Sequence, residues 1–168
     1  MPVKTATAPR RELSFHCLGC LKSELDRIDA AHAKGALRTT GNWSAGEILD
    51  HCAILIESGL DGAPSQAPFI ARLFGKLMKK SMLKPATMMA GFQLPKGASW
   101  LLPRPGATYE QGMARMRKAL ARIDAGEKLD KPSGWLGPLT HDEWVRLNLN
   151  HTQLHLGFVA LDDAAAPR

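Results

Sequence analysis

Several absences in the chain each remove a class of explanation. No uninterrupted apolar stretch approaches the roughly 18–20 residues that a membrane-spanning helix needs. Arg10-Arg11 has the look of a twin-arginine signal, and Leu18-Gly19-Cys20 that of a lipoprotein cleavage site. Both signals require an apolar region of about 7–15 residues, and Glu12, His16, Lys22 and Glu24 interrupt the window. A cytoplasmic location is therefore expected. Only three cysteines occur, Cys17, Cys20 and Cys52, too few for a disulfide framework. Cys17 and Cys20 form a C-x-x-C, but no second pair completes a four-cysteine zinc site. Small, buried apolar residues are the expected role for them, with a redox or metal role as the alternative. No stretch alternates apolar and polar residues as a half-buried strand does, and no segment repeats.

Acidic residues are also missing over one long interval. None occurs between Asp61 and Glu110, while Arg72, Lys76, Lys79, Lys80, Lys84, Lys96 and Arg104 fall there. The rest of the chain carries fifteen positive and sixteen negative charges, so the net charge of +6 belongs to this segment. Its positive potential suits an anionic partner or substrate. Nucleic acid is a poor candidate, because no recognisable reading motif accompanies the charge.

What is present describes a globular protein. The 168 residues are 45% apolar and 23% charged, ordinary values for one domain with a sizeable core. Residues 1–11 and 163–168 read as flexible tails around a single domain over 12–162.

Four segments have helical period. The first runs from about Ser14 to Ala33, with Leu18, Leu21, Leu25 and Ile28 on one face and Gly35 as its stop. The second starts at Ser44, where Ser44-Ala-Gly-Glu47 has the form of a capping box. Ile48, His51, Cys52, Leu55 and Gly59 share its inner face, and it ends near Gly59–Gly62. The third starts at Thr108, with Gln111 completing its cap and Met113, Met116, Leu120 and Ile123 as its stripe. The fourth starts at Thr140, capped with Glu143, and aligns Trp144, Leu147, His151, Leu154, His155 and Phe158. Helices with apolar stripes and no strand partner bury those stripes against one another, so an all-α bundle is expected.

Residues 63–107 form a long crossover between the second and third of these helices. Phe69, Phe74, Leu77, Met78 and Met82, with lysines between them, predict an amphipathic helix within 69–84. Its apolar residues are expected to pack on the bundle with its basic face in solvent. An alternative places this segment on an anionic membrane surface or a protein partner.

The chemistry-bearing pattern is His151-Thr-Gln-Leu-His155. Residues i and i+4 lie on one helical face about 6 Å apart along the axis, so two imidazoles there can converge on one ion. Coincidence is the bland reading of such a pair. Both histidines, however, lie on an apolar stripe, where a polar ring needs a partner. His51 lies on another. Three inward imidazoles from two helices make a metal site with an open position. A metalloprotease is excluded, because Thr152 stands where such a motif has Glu and Gln153 cannot act as a base. Glu47 is a fourth-ligand candidate, although its capping role is simpler. Asn148 is a candidate to hold the free ring nitrogen of His151. His141 lies about 15 Å along the helix from His151, too far to share an ion. Trp43, Trp100 and Trp144 either line a pocket or pack in the core.

Trp43-Ser44 leading into a helix with His51, together with His151-x-x-x-His155 on a late helix, resembles the DinB/YfiT-like superfamily. The fit is to a branch of unknown function with three recurring runs, here at Arg10–Leu13, Thr39–Ser44 and Leu94–Gly97. The resemblance spans about residues 10–161. It implies an up-down-down-up four-helix bundle, a homodimer and a bound Zn²⁺ or Ni²⁺, with His51, His151 and His155 as ligands. Some relatives are S-transferases or isomerases that use a low-molecular-weight thiol. The expectation that follows is a metal-dependent enzyme, with thiol transfer first and hydrolysis second. The alternative is a non-enzymatic binding module built on residues 69–84.

Overall fold

The computed structural model describes residues 2–84, 88–91 and 98–161. The Leu94–Gly97 run, Lys96 and the 163–168 tail lie outside the described residues. Among those described, five α-helices dominate: α1 (Leu18–Ala33), α2 (Ala45–Asp61), α3 (Phe69–Met82), α4 (Tyr109–Asp124) and α5 (His141–Leu156). Two short strands, β1 (Leu37–Thr39) and β2 (Val159–Leu161), pair antiparallel with Arg38 opposite Ala160. A 3₁₀ turn spans Ser99–Leu101. The expectation of a helical protein with very little strand holds.

The starts of three helices follow their local chemistry. Ser44 with Glu47, Thr108 with Gln111 and Thr140 with Glu143 each form a reciprocal capping box, satisfying amides that have no partner within the helix. The first helix begins later than its periodicity suggests. Cys17, and not Ser14, is its N-cap, accepting from the Cys20 amide. The residues before it are drawn elsewhere: the Phe15 amide donates to Gln153 Oε1 on α5 at 2.9 Å. Cys17 is consequently exposed and Cys20 half-exposed, contrary to the expected burial. Their sulfurs lie 3.1 Å apart. Cys52 is the buried cysteine, and burial pushes its thiol up to about 12.

Residues 3–11, which read as a tail, are hydrogen-bonded to the body. Val3 exchanges two bonds with the Asn42 side chain, and the Arg11 amide donates to the Gly157 carbonyl. The Arg11 guanidinium meets the buried Glu24 carboxylate at 2.6 Å.

Helix α2 is the central element. Thirteen of its residues are buried, the mark of a helix enclosed on most sides. It packs most extensively on α4, and next on α5. The α2–α4 crossing depends on two glycines, because a Cβ at Gly112 would fall on the Gly46 carbonyl oxygen. Gly59 likewise lets the ring of Trp144 lie against α2. Leu21, Leu25, Ile28, Leu49, Ile56, Met116 and Leu156 are fully enclosed around these contacts.

The helix expected in the crossover is α3, and its orientation departs from that expected in part: Met78 and Met82 turn inward, but Phe69, Phe74 and Leu77 are exposed. Gly75 is its buried residue, set against the Trp135 carbonyl and indole. Trp135 Nε1 donates to the Ala71 carbonyl at 2.8 Å. The opposite face carries Phe69, Ile70, Leu73 and Leu77, which are 54–80% exposed. Close approach to Trp135 is possible only at the small residues, so Ala71 and Gly75 turn toward it and Phe69, Ile70, Leu73 and Leu77 are left outside, while Met78 and Met82 further along turn inward. No described helix is long and apolar enough to cross a membrane.

Candidate metal centre

His51, His151 and His155 come together. The capping box at Ser44 sets the phase of α2 so that His51, two turns on, is buried. On α5 the i, i+4 spacing stacks His151 and His155 on the same side. The three ring centroids lie 4.7, 4.5 and 4.5 Å apart. Each ring offers a nitrogen within 4.8 Å of the others, and the Nε2 atoms of His51 and His155 are 3.2 Å apart. Ligands at about 2.0–2.1 Å from a tetrahedral ion stand about 3.3–3.4 Å from one another. One pair therefore already has ligand spacing, and a His151 nitrogen lies within 4.8 Å of both.

The rings are oriented from outside the cluster. His51 Nδ1 donates to the Leu101 carbonyl at 2.5 Å, which leaves the Nε2 lone pair directed at the other two histidines. Trp43, the residue before the α2 cap, covers the group. Its ring lies 4.7 Å from that of His51 and stacks on His155 at 5.5 Å. His151 Nδ1 is buried with no hydrogen-bond partner. Such an orphaned nitrogen costs roughly 1–3 kcal/mol, and beside two convergent imidazoles it fits a site that can hold a divalent ion.

The electrostatics agree with that fit. Burial pushes the His51 imidazole down to about 4, against the opposing pulls of the Leu101 carbonyl and Asp50. Burial and the neighbouring rings hold His151 well below its usual range, and burial, His51 and Arg10 do the same for His155. All three are neutral at pH 7, the protonation state that binds metal.

A second layer was not legible in the sequence. Asp50, adjacent to His51 and fully buried, accepts from the Arg104 amide at 2.9 Å and from its guanidinium at 2.7 and 3.0 Å. It also accepts from Arg115 at 2.9 Å, and Arg115 pairs in turn with Glu57. Glu47 accepts from the Gly106 amide at 3.1 Å. Two side chains of α2, Glu47 and Asp50, thus hold the 104–106 segment, next to the Leu101 carbonyl that orients His51. An Asp inside an apolar helical stripe was the one available signal.

The other candidates fall elsewhere. Glu47 serves as the α2 cap and not as a neighbour of the imidazoles. Asn148 donates to the Trp144 carbonyl and makes no hydrogen bond to His151. His141 Nδ1 accepts from the Leu129 amide at the start of α5. Trp144 is a core residue whose indole donates to the Lys131 carbonyl. Trp43 and Trp100 line a cavity of about 800 Å³ into which all three histidines open.

The family model described as "Protein of unknown function (DUF1569)" matches residues 7–162. No curated protein and no solved structure matches the chain.

Proposed function

As the chain belongs to the DUF1569 family, whose description carries no activity, we propose its function from the site itself: a metal-dependent enzyme whose divalent ion is held by His51, His151 and His155. The observation that carries this reading is the convergence of three neutral imidazoles on the wall of a large cavity. The donor set, three nitrogens with room for a fourth ligand, suits Zn²⁺ or Ni²⁺. A bound ion of this kind polarises a substrate oxygen and lowers the pKa of a water or thiol toward neutrality.

The residues of the chain supply position and exclusion. His51 holds one direction fixed through the Leu101 carbonyl, and Trp43 packs against two of the rings. The same reading takes in the likeness to the DinB/YfiT-like superfamily, its up-down-down-up bundle, its homodimer and a cytoplasmic setting. One histidine on α2, two on the last helix and a long connection between α2 and α4 support it.

Elemental analysis of protein purified without an affinity tag and without added metal tests the proposal. One equivalent of a divalent ion is expected. His151→Ala should lose it, while His141→Ala keeps it. Full metal stoichiometry in His151→Ala would place the ion elsewhere.

A second reading is favoured by the outward face of α3. Phe69, Ile70, Leu73 and Leu77 are exposed there, and the helix carries Arg72, Lys76 and Lys80 with no acidic residue from 62 to 109. Apolar exposure flanked by one sign of charge suits an anionic membrane surface. Co-sedimentation with phosphatidylglycerol vesicles but not phosphatidylcholine vesicles is expected, and Leu73→Asp should abolish it. No sedimentation with either would end this reading.

A further inference from the structure

The wall of the cavity has a composition that the metal centre alone does not require. Among its described lining residues there is no Asp, Glu, Lys or Arg. None of the described cations of the crossover lines the cavity. Lys79 bonds the Pro138 carbonyl and Glu143, and Arg104 is held by Asp50. Lys76 and Lys80 are exposed. The positive potential expected to draw in an anionic substrate is therefore not carried into the cavity by these residues.

The lining is instead mainly apolar, aliphatic, thioether and aromatic, with Asn42 and a few hydroxyl side chains as its uncharged polar groups besides the histidines. Met78 and Met82 come from α3, Met88 and Met89 follow it, and Trp43 and Trp100 stand nearby. Methionine side chains are flexible and polarisable, and adapt to apolar ligands of varied shape. The volume lies in the range that encloses a small organic molecule. A carboxylate placed along this wall, away from the histidines, meets no Lys or Arg among the described lining residues, and an unpaired buried charge is strongly unfavourable.

We propose that the substrate is an uncharged, mainly apolar molecule, of the size of an aryl or medium-chain acyl compound, with one polar end at the histidines. This rests on the metal reading above for the position of the polar end, and on the cavity wall alone for the apolar class. It disfavours a thiol bearing several carboxylates as the molecule that fills the cavity.

Two probes separate these parts. N-phenyl-1-naphthylamine, uncharged and apolar, should bind the metal-free protein with enhanced fluorescence and be displaced by octanohydroxamate. On zinc-loaded protein, the butano-, hexano- and octanohydroxamate series should tighten by about fourfold per methylene. Suberic monohydroxamate, which ends the same chain in a carboxylate, should bind at least about a hundredfold more weakly than octanohydroxamate. No naphthylamine binding and no dependence on chain length, with zinc stoichiometry intact, would overturn the apolar class and leave the metal centre standing. Naphthylamine binding with equal affinity for octanohydroxamate and octanol would support the apolar cavity and overturn the metal reading.

Discussion

Replacing Asp50 by Asn tests whether the second layer holds the centre. The change keeps the shape of the side chain and removes its charge. Asp50 is fully buried and accepts four hydrogen bonds from Arg104 and Arg115. Removing one partner of a buried ion pair costs about 3–5 kcal/mol when the other charge is stranded. Here neither arginine is fully stranded. Arg104 is 56% exposed and returns to water, and Arg115 keeps its bidentate partner Glu57. The lower end, about 3 kcal/mol, is therefore expected, which for a chain of this length lowers Tm by about 6–12 °C. A second effect follows at the histidines. Without its anchor the 101–104 segment loosens, and the Leu101 carbonyl no longer fixes the His51 ring. Loss of such an outer partner weakens metal binding by about 10–100-fold. Urea unfolding and competition with a chromophoric chelator measure the two effects. Glu57→Gln is the control, since it leaves Asp50 and Arg104 paired and should not change metal affinity. An Asp50→Asn protein within about 0.5 kcal/mol of the parent, with unchanged metal affinity, would refute the reasoning.

Acid should act through the histidines in a stated direction. The folded-state pKa of His51 is depressed to about 4, so between about 6.5 and 4 the unfolded chain binds a proton that the folded chain does not. Stability of the metal-free protein is thus complete above about pH 6.5 and falls by up to about 3 kcal/mol toward pH 4, read from urea midpoints against pH. Stability that stays flat across that window would contradict the burial of the ring. At the helix crossing, Gly112→Ala sets a methyl on the Gly46 carbonyl and should cost about 1–3 kcal/mol, whereas Gly126→Ala meets no atom within 4 Å and is limited to the strain of its positive φ. Equal losses in thermal unfolding would argue against the close approach. Light scattering is expected to give twice the 18.3 kDa chain mass, and a monomer at high concentration would remove the dimer from the proposal.

How far the sequence reached is seen at particular residues. The caps at Ser44, Thr108 and Thr140 were readable because each is a bargain struck within four residues: a side chain and an amide of the same turn. The histidine cluster was readable for a related reason. Periodicity placed His51, His151 and His155 on apolar stripes, and apolar stripes face inward. What tertiary structure alone decided was non-local. Asp50 meets Arg104 and Arg115 across 54 and 65 residues, and nothing in the local pattern of any of the three indicates the others. The first helix lost its predicted first turn to a bond between Phe15 and Gln153, 138 residues away. In α3 the stripe itself misled, because hydrophobic periodicity identifies a face without saying what it meets. A close contact with Trp135 selected Ala71 and Gly75 by size, so Phe69, Phe74 and Leu77 of the expected stripe were left facing outward and only Met78 and Met82 turned in.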